Sequence, residues 1–182
     1  MKLQTWVLGF LGLALSWVAQ SASAAAAATA LYFSGPTGEY VSQGQQYFLD
    51  VAHGYQVFVN NLNNADSRIS FYFNNLSTAP PSKQHSWTVA FSAPNGGVLQ
   101  PGIYLNATRE AFAKVGPGLD LYGDGRGNNA VKGYFSVLQA VYDAQGNVVQ
   151  FAADFVLQGD TPGKIFGSVR YNSDVQLVKS LR

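Results

Sequence analysis

The chain predicts an all-β fold, a single antiparallel β-sandwich of jelly-roll or immunoglobulin-like type behind a signal peptide. Three observations carry that reading. Apolar residues recur with a period of two from Leu31 onward, polar turn segments separate the alternating runs, and no helical period outlasts one turn at 111–115.

Taken in order, short strands are expected at 31–34, 40–51 and 55–60. The run SRISFYFNNL (67–76) then sets Ile69, Phe71 and Phe73 on one face. SWTVAFS (86–92) groups Trp87, Val89 and Phe91, with Thr88 and Ala90 opposite. Strands at 102–108 and 119–122 follow. GYFSVLQAVYD (133–143) sends Phe135, Val137, Gln139 and Val141 one way. VVQFAADFVLQ repeats the pattern through Val149, Phe151, Ala153, Phe155 and Leu157, and a last strand is expected at 164–171. Alternation of this kind marks half-buried strands with one face on a core. GPTG, NNLNNADS, STAPPSK, SAPNGG, KVGPG, DAQGN and QGDTPG supply the turns. DAQGN is the clearest hairpin, because long alternating strands flank it.

Residues 1–24 read as a signal peptide. Lys2 precedes an apolar stretch at 6–18 that is too short to span a bilayer, and Ala22-Ser23-Ala24 offers a cleavage pattern. Residues 25–30 are expected as a loose alanine-rich start, 31–173 as the sandwich and 174–182 as a tail. The product is expected in the periplasm or medium, soluble, with no membrane span once the leader is gone. The chain has no cysteine; lipoprotein acylation and disulfides are therefore excluded, and a packed core must supply stability.

Lys and Arg number eleven in all, ten once Lys2 leaves, against ten Asp and Glu, and these charges are scattered. Without a basic patch the chain is not expected to bind nucleic acid. His53 and His85 stand alone, outside any zinc spacing, so no metal or cofactor is expected. No G-x-S-x-G elbow marks a nucleophile.

The densest local signal is GDGRGNNAVKG (123–133). It lacks the helix a dinucleotide fingerprint opens and the Gly-Lys-Ser/Thr of a Walker loop. Asp120, Asp124, Asn128 and Asn129 offer oxygens to calcium, but Arg126 stands where an EF-hand expects a ligand. The segment is read as a connector. Arg126 is expected to fold back on Asp154 as a structural pair, with Arg109 as the second candidate, the alternative being an anion or sugar-acid site. Glu39, Glu110, Asp50, Asp120 and Asp154 are the acids a glycosidase would draw on. Among the tyrosines, Tyr40, Tyr55, Tyr104 and Tyr122 form the candidate binding face, with Tyr32 and Tyr72 of the same outward or edge type, since Tyr joins an apolar body to a polar tip.

The runs WTVAFSAPNGGVLQPGIYLNATREAF, PGLDLYGDGRGNN, GYFSVLQAVYDAQGNVVQFAADF and IFGSVRYNS, spanning 87–173, resemble a family of exported bacterial β-sandwich domains of unassigned function. The resemblance implies export and a sandwich, and brings no catalytic residues. It also implies a disulfide between a cysteine after GRG and one following FAADF. Asn128 and the region 156–158 stand in those places here, which leaves hydrogen bonds and the arginine pair to hold the loop.

The function expected is that of an exported, non-enzymatic module with a binding, adhesive or envelope-structural role toward an extracellular polymer or envelope component. The alternatives are a carboxylate-dependent carbohydrate hydrolase and a small-molecule carrier using the space between sheets.

Overall fold

A computed structural model describes residues 27–61 and 68–179. The expected signal peptide at 1–24, most of the NNLNNADS loop and the last three residues lie outside the described residues. Ten strands form: β1 Ala28–Ser34, β2 Gln46–Asp50, β3 Gln56–Asn61, β4 Arg68–Asn74, β5 Ser86–Ser92, β6 Gly102–Arg109, β7 Gly118–Gly123, β8 Lys132–Tyr142, β9 Val148–Gln158 and β10 Ile165–Ser173. Each run that alternation marked contains one of them. The helical turn expected at 111–115 is a single 3-10 turn, Glu110–Phe112.

Two boundaries move for local reasons. Ala28–Ala30, expected in the loose start, extend β1, with Ala28 opposite Ser173 and Ala30 opposite Arg170. Residues 40–45 leave the expected strand because the Glu39 carboxylate accepts the amides of Val41 and Ser42, at 3.0 and 2.6 Å, and folds that segment into a turn.

The strands lie in the order β2-β1-β10-β9-β8-β6-β7-β5-β4-β3. Where two sheets were expected, the ladder is continuous. It is antiparallel throughout except between β6 and β7, which run parallel through Thr108–Gly118 and Arg109–Leu119. β2 and β3 are the two edges of this sheet, yet only the 3-10 turn Val51–His53 and two further residues join them. So short a link requires the edges to approach, and the sheet rolls into a near-barrel. Rings from opposite halves meet inside: Phe33 with Trp87 at 4.7 Å, Phe71 with Phe151 at 5.1 Å and Phe91 with Phe135 at 5.0 Å. Bulges in β8 and at Leu105-Asn106 of β6, where Asn106 has φ 58°, add the coiling that closure needs.

One apolar cluster fills the interior, drawing on Phe73, Val89, Leu121 and Phe155 among others. Outside, the tail lies over β10, where Leu177 and Val178 pack on Tyr32, Val156 and Phe166. β6 is different. Its edge toward β7 is paired only at Thr108 and Arg109, and Ile103 and Leu105 are 71% and 62% exposed. Among the described residues no helix is long and apolar enough to cross a membrane.

Candidate functional site

The glycine segment is a hairpin turn. Gly123 and Arg126 exchange both backbone hydrogen bonds, at 2.9 and 2.8 Å. Asp124 and Gly125 between them have φ 47° and 73°, the doubly positive pattern of a type I′ turn. The oxygens of Asp120, Asp124 and Asn128 considered for calcium accept from protein donors. Asp124 accepts from Ser86 N and Trp87 Nε1 and lies 2.6 Å from His85 Nδ1. Asn128 Oδ1 accepts from Asp160 N, and Asp160 in turn accepts the amides of Asn129 and Ala130.

Arg126 does not pair with Asp154. Its Nη2 donates to the Tyr47 hydroxyl at 3.0 Å and lies 3.8 Å from Asp124, and its guanidinium sits 5.2 Å from the centre of the Trp87 ring. It closes one end of the barrel over the apolar core. Asp154 faces outward on β9 and meets Arg170, opposite Ala152 on β10, at 3.0 Å. Sequence reasoning missed Arg170, although the alternation of IFGSVRYNS sets it on the outer face with Ser168. Arg109 pairs with Asp120 at 3.3 Å.

These pairs bear on the hydrolase reading. Glu110 is held by Arg68 at 2.5 Å, Asp120 by Arg109 and Asp154 by Arg170. Asp50 caps the Val51–His53 turn, and Glu39 caps its own. Burial nevertheless pushes the Asp120 carboxyl above the usual carboxylate range, outweighing the Arg109 guanidinium beside it. Each acid singled out in the sequence serves a turn or an ion pair.

The four tyrosines do not share a face. Tyr104 points inward, stacked on Phe135 at 4.7 Å, with its hydroxyl bonded to the Gln100 backbone. Tyr55 is half-buried at the barrel end, where burial, then Asp124 and Tyr47, raise its pKa. Tyr40 is exposed on the turn whose amide meets Thr161. Tyr122 alone stands on an outer strand face, and there the register gives it companions.

Phe58 lies opposite Tyr72, Tyr72 opposite Thr88 and Thr88 opposite Tyr122. All four point away from the core, because their neighbours Val57, Phe71, Phe73, Trp87, Val89 and Leu121 belong to it. The result is one aromatic row crossing β3, β4, β5 and β7. Phe58 is 56% and Tyr122 46% exposed, while Thr88, at 8%, is roofed by the longer side chains beside it. Phe58 and Tyr72 approach to 6.2 Å at a 34° tilt. Neighbouring strands stand ~4.8 Å apart, which puts the backbones bearing Tyr72 and Tyr122 at roughly 10 Å. The parallel rows on either side carry Gln56, and Asn60 with Ser70, which add amide and hydroxyl groups. No protein-family model, no curated protein and no solved structure matches the chain, so the site is read from this geometry alone.

Proposed function

We propose that the chain is an exported, non-enzymatic binding module that lays an extended extracellular polysaccharide across the outer face of β3, β4, β5 and β7. The observation that carries the reading is the register-aligned row Phe58–Tyr72–Thr88–Tyr122. Sugar rings present apolar C–H faces to aromatic planes and hydroxyls to amides. A row two strands wide between ring positions suits alternate residues of an extended glycan. The competing readings have less support. The carboxylates a glycosidase needs are committed to arginines and turns, and the interior a carrier needs is filled by rings in contact.

Affinity electrophoresis through cellulose derivatives, chitin derivatives, xylan and polygalacturonate tests the proposal. The protein is expected to be retarded by at least one. Phe58→Ala combined with Tyr122→Ala is expected to weaken that retardation at least tenfold. Both side chains project into solvent, so the melting temperature should stay within about 2 °C. A double variant retarded as strongly as the parent, or no retardation by any polymer, would overturn it.

A further inference from the structure

The aromatic row does not end in featureless surface. One row along, Asn60, Ser70, Ala90 and Asp120 face outward; one further, Arg68 lies opposite Ser92 and Ser92 opposite Gly118. Each step of two residues advances ~6.7 Å, which sets the Arg68 row about 13 Å from the aromatic one on the same face. There residues of the Glu110–Phe112 turn and the β5–β6 loop border a half-open cavity of 440 Å³, lined by Arg68, Asn95, Gly96, Glu110 and Lys114.

We infer that the polymer is anionic and that this cavity takes its acidic group, an inference that rests on the binding face proposed above. Glu110 is buried and engages Arg68 through Nε, which fixes the guanidinium while its terminal nitrogens still carry donors. Lys114 is exposed, and no carboxylate among the described residues lies within ion-pair distance of it. Among the described residues, the cavity's lining carries two cations against one carboxylate. A guanidinium held beside an ammonium matches an oxyanion. The rest of the chain contributes little field: without Lys2, and setting aside Arg68, Lys114 and Glu110, eight Lys and Arg stand against nine Asp and Glu, so selection for an anion must come from this local cluster. The group recognised is an oxyanion on a sugar, either a uronate carboxylate or a sulfate ester.

The test compares polygalacturonate, its fully methyl-esterified form, and dextran sulfate against neutral dextran. Methyl esterification removes the charge and keeps the backbone. Polygalacturonate is expected to bind at least tenfold tighter than its ester, with the advantage shrinking as salt is raised. Lys114→Glu should erase that advantage and leave ester binding unchanged; Lys83→Glu, on an exposed turn elsewhere, should alter neither. Binding of dextran sulfate with no preference for polygalacturonate over its ester assigns the site to sulfate esters and supports the inference in that form. If acid and ester bind equally, dextran sulfate does not bind, and Phe58→Ala with Tyr122→Ala weakens both, the anionic inference falls and the binding face stands. If none of these polymers binds, the anionic inference falls, and the binding face falls with it only if cellulose derivatives, chitin derivatives and xylan also fail to retard the protein.

Discussion

Among the described residues, Arg170 makes the most side-chain hydrogen bonds. It is fully buried, yet its guanidinium donates to the carbonyls of Ala153, Val169, Val175 and Gln176 as well as to Asp154. Burial lowers its pKa from the ordinary value and Asp154 partly restores it. Truncating a buried charged group of this kind costs about 3–5 kcal/mol, so Arg170→Ala should lower the urea midpoint severely. A double-mutant cycle is expected to show Arg170 and Asp154 strongly coupled, and Arg126 and Asp154 additive within ~0.5 kcal/mol. Coupling in the second cycle would contradict the assignment. From sequence, Asp154 is assigned to Arg126, with Arg109 second, and Arg170 is missed, because the choice depends on the β9–β10 register and alternation alone sets faces rather than partners.

Two carboxyls at the residue scale titrate in opposite senses. Asp120 has its folded pKa raised by burial. Its ionised form therefore opposes folding at neutral pH, and that penalty disappears as pH falls through the raised value. Asp160 has its folded pKa lowered, first by the amide of Asn129 and then by that of Ala130. Its contribution is present above the ordinary Asp value of ~3.9 and is lost as pH falls through the lowered one. Carboxyl-carbon NMR titration should find Asp120 above and Asp160 below that ordinary value. Hydrogen exchange at Asn129 and Ala130 should accelerate as Asp160 protonates. The reverse order of midpoints would refute this reading of both sites.

At the scale of elements, the segment 123–131 shows what composition can and cannot give. Its glycines and amides mark a turn, and a type I′ turn forms at Asp124-Gly125. The tether is less legible: Asn128 is buried against the bare backbone of Gly159, where an added β-carbon would stand 2.1 Å from Asn128 Cγ. With Cγ one bond of about 1.5 Å beyond Cβ, the two β-carbons are at most ~3.6 Å apart, close to the ~3.8 Å mean of a disulfide. Gly159→Ala alone should destabilise by about 1–3 kcal/mol through overlap with Asn128. Asn128→Cys with Gly159→Cys should instead oxidise spontaneously and stabilise by about 2–4 kcal/mol. Non-reducing mass analysis and thermal melts check both, and a pair that stays reduced under air would contradict the geometry.

For the molecule as a whole, period-two alternation located the strands because each has one face on a shared core. It could not show that the halves are one rolled sheet. That depends on β2 and β3, consecutive in the chain, occupying opposite edges. The binding face was only partly legible for the same reason: Tyr72 and Tyr122 read as outward or edge tyrosines, Phe58 was not singled out, and only the ladder aligns the three across four strands. The central claim is that this aligned row is where a glycan rests, and amide NMR mapping tests it most directly. Titrated with hexagalacturonate and with xylohexaose, the labelled protein should show shifts gathered on Phe58, Ser70, Tyr72, Thr88 and Tyr122 with at least one of the two. Shifts gathered instead on the tail-covered face of β10 and β1, or no shifts with either sugar, would contradict it.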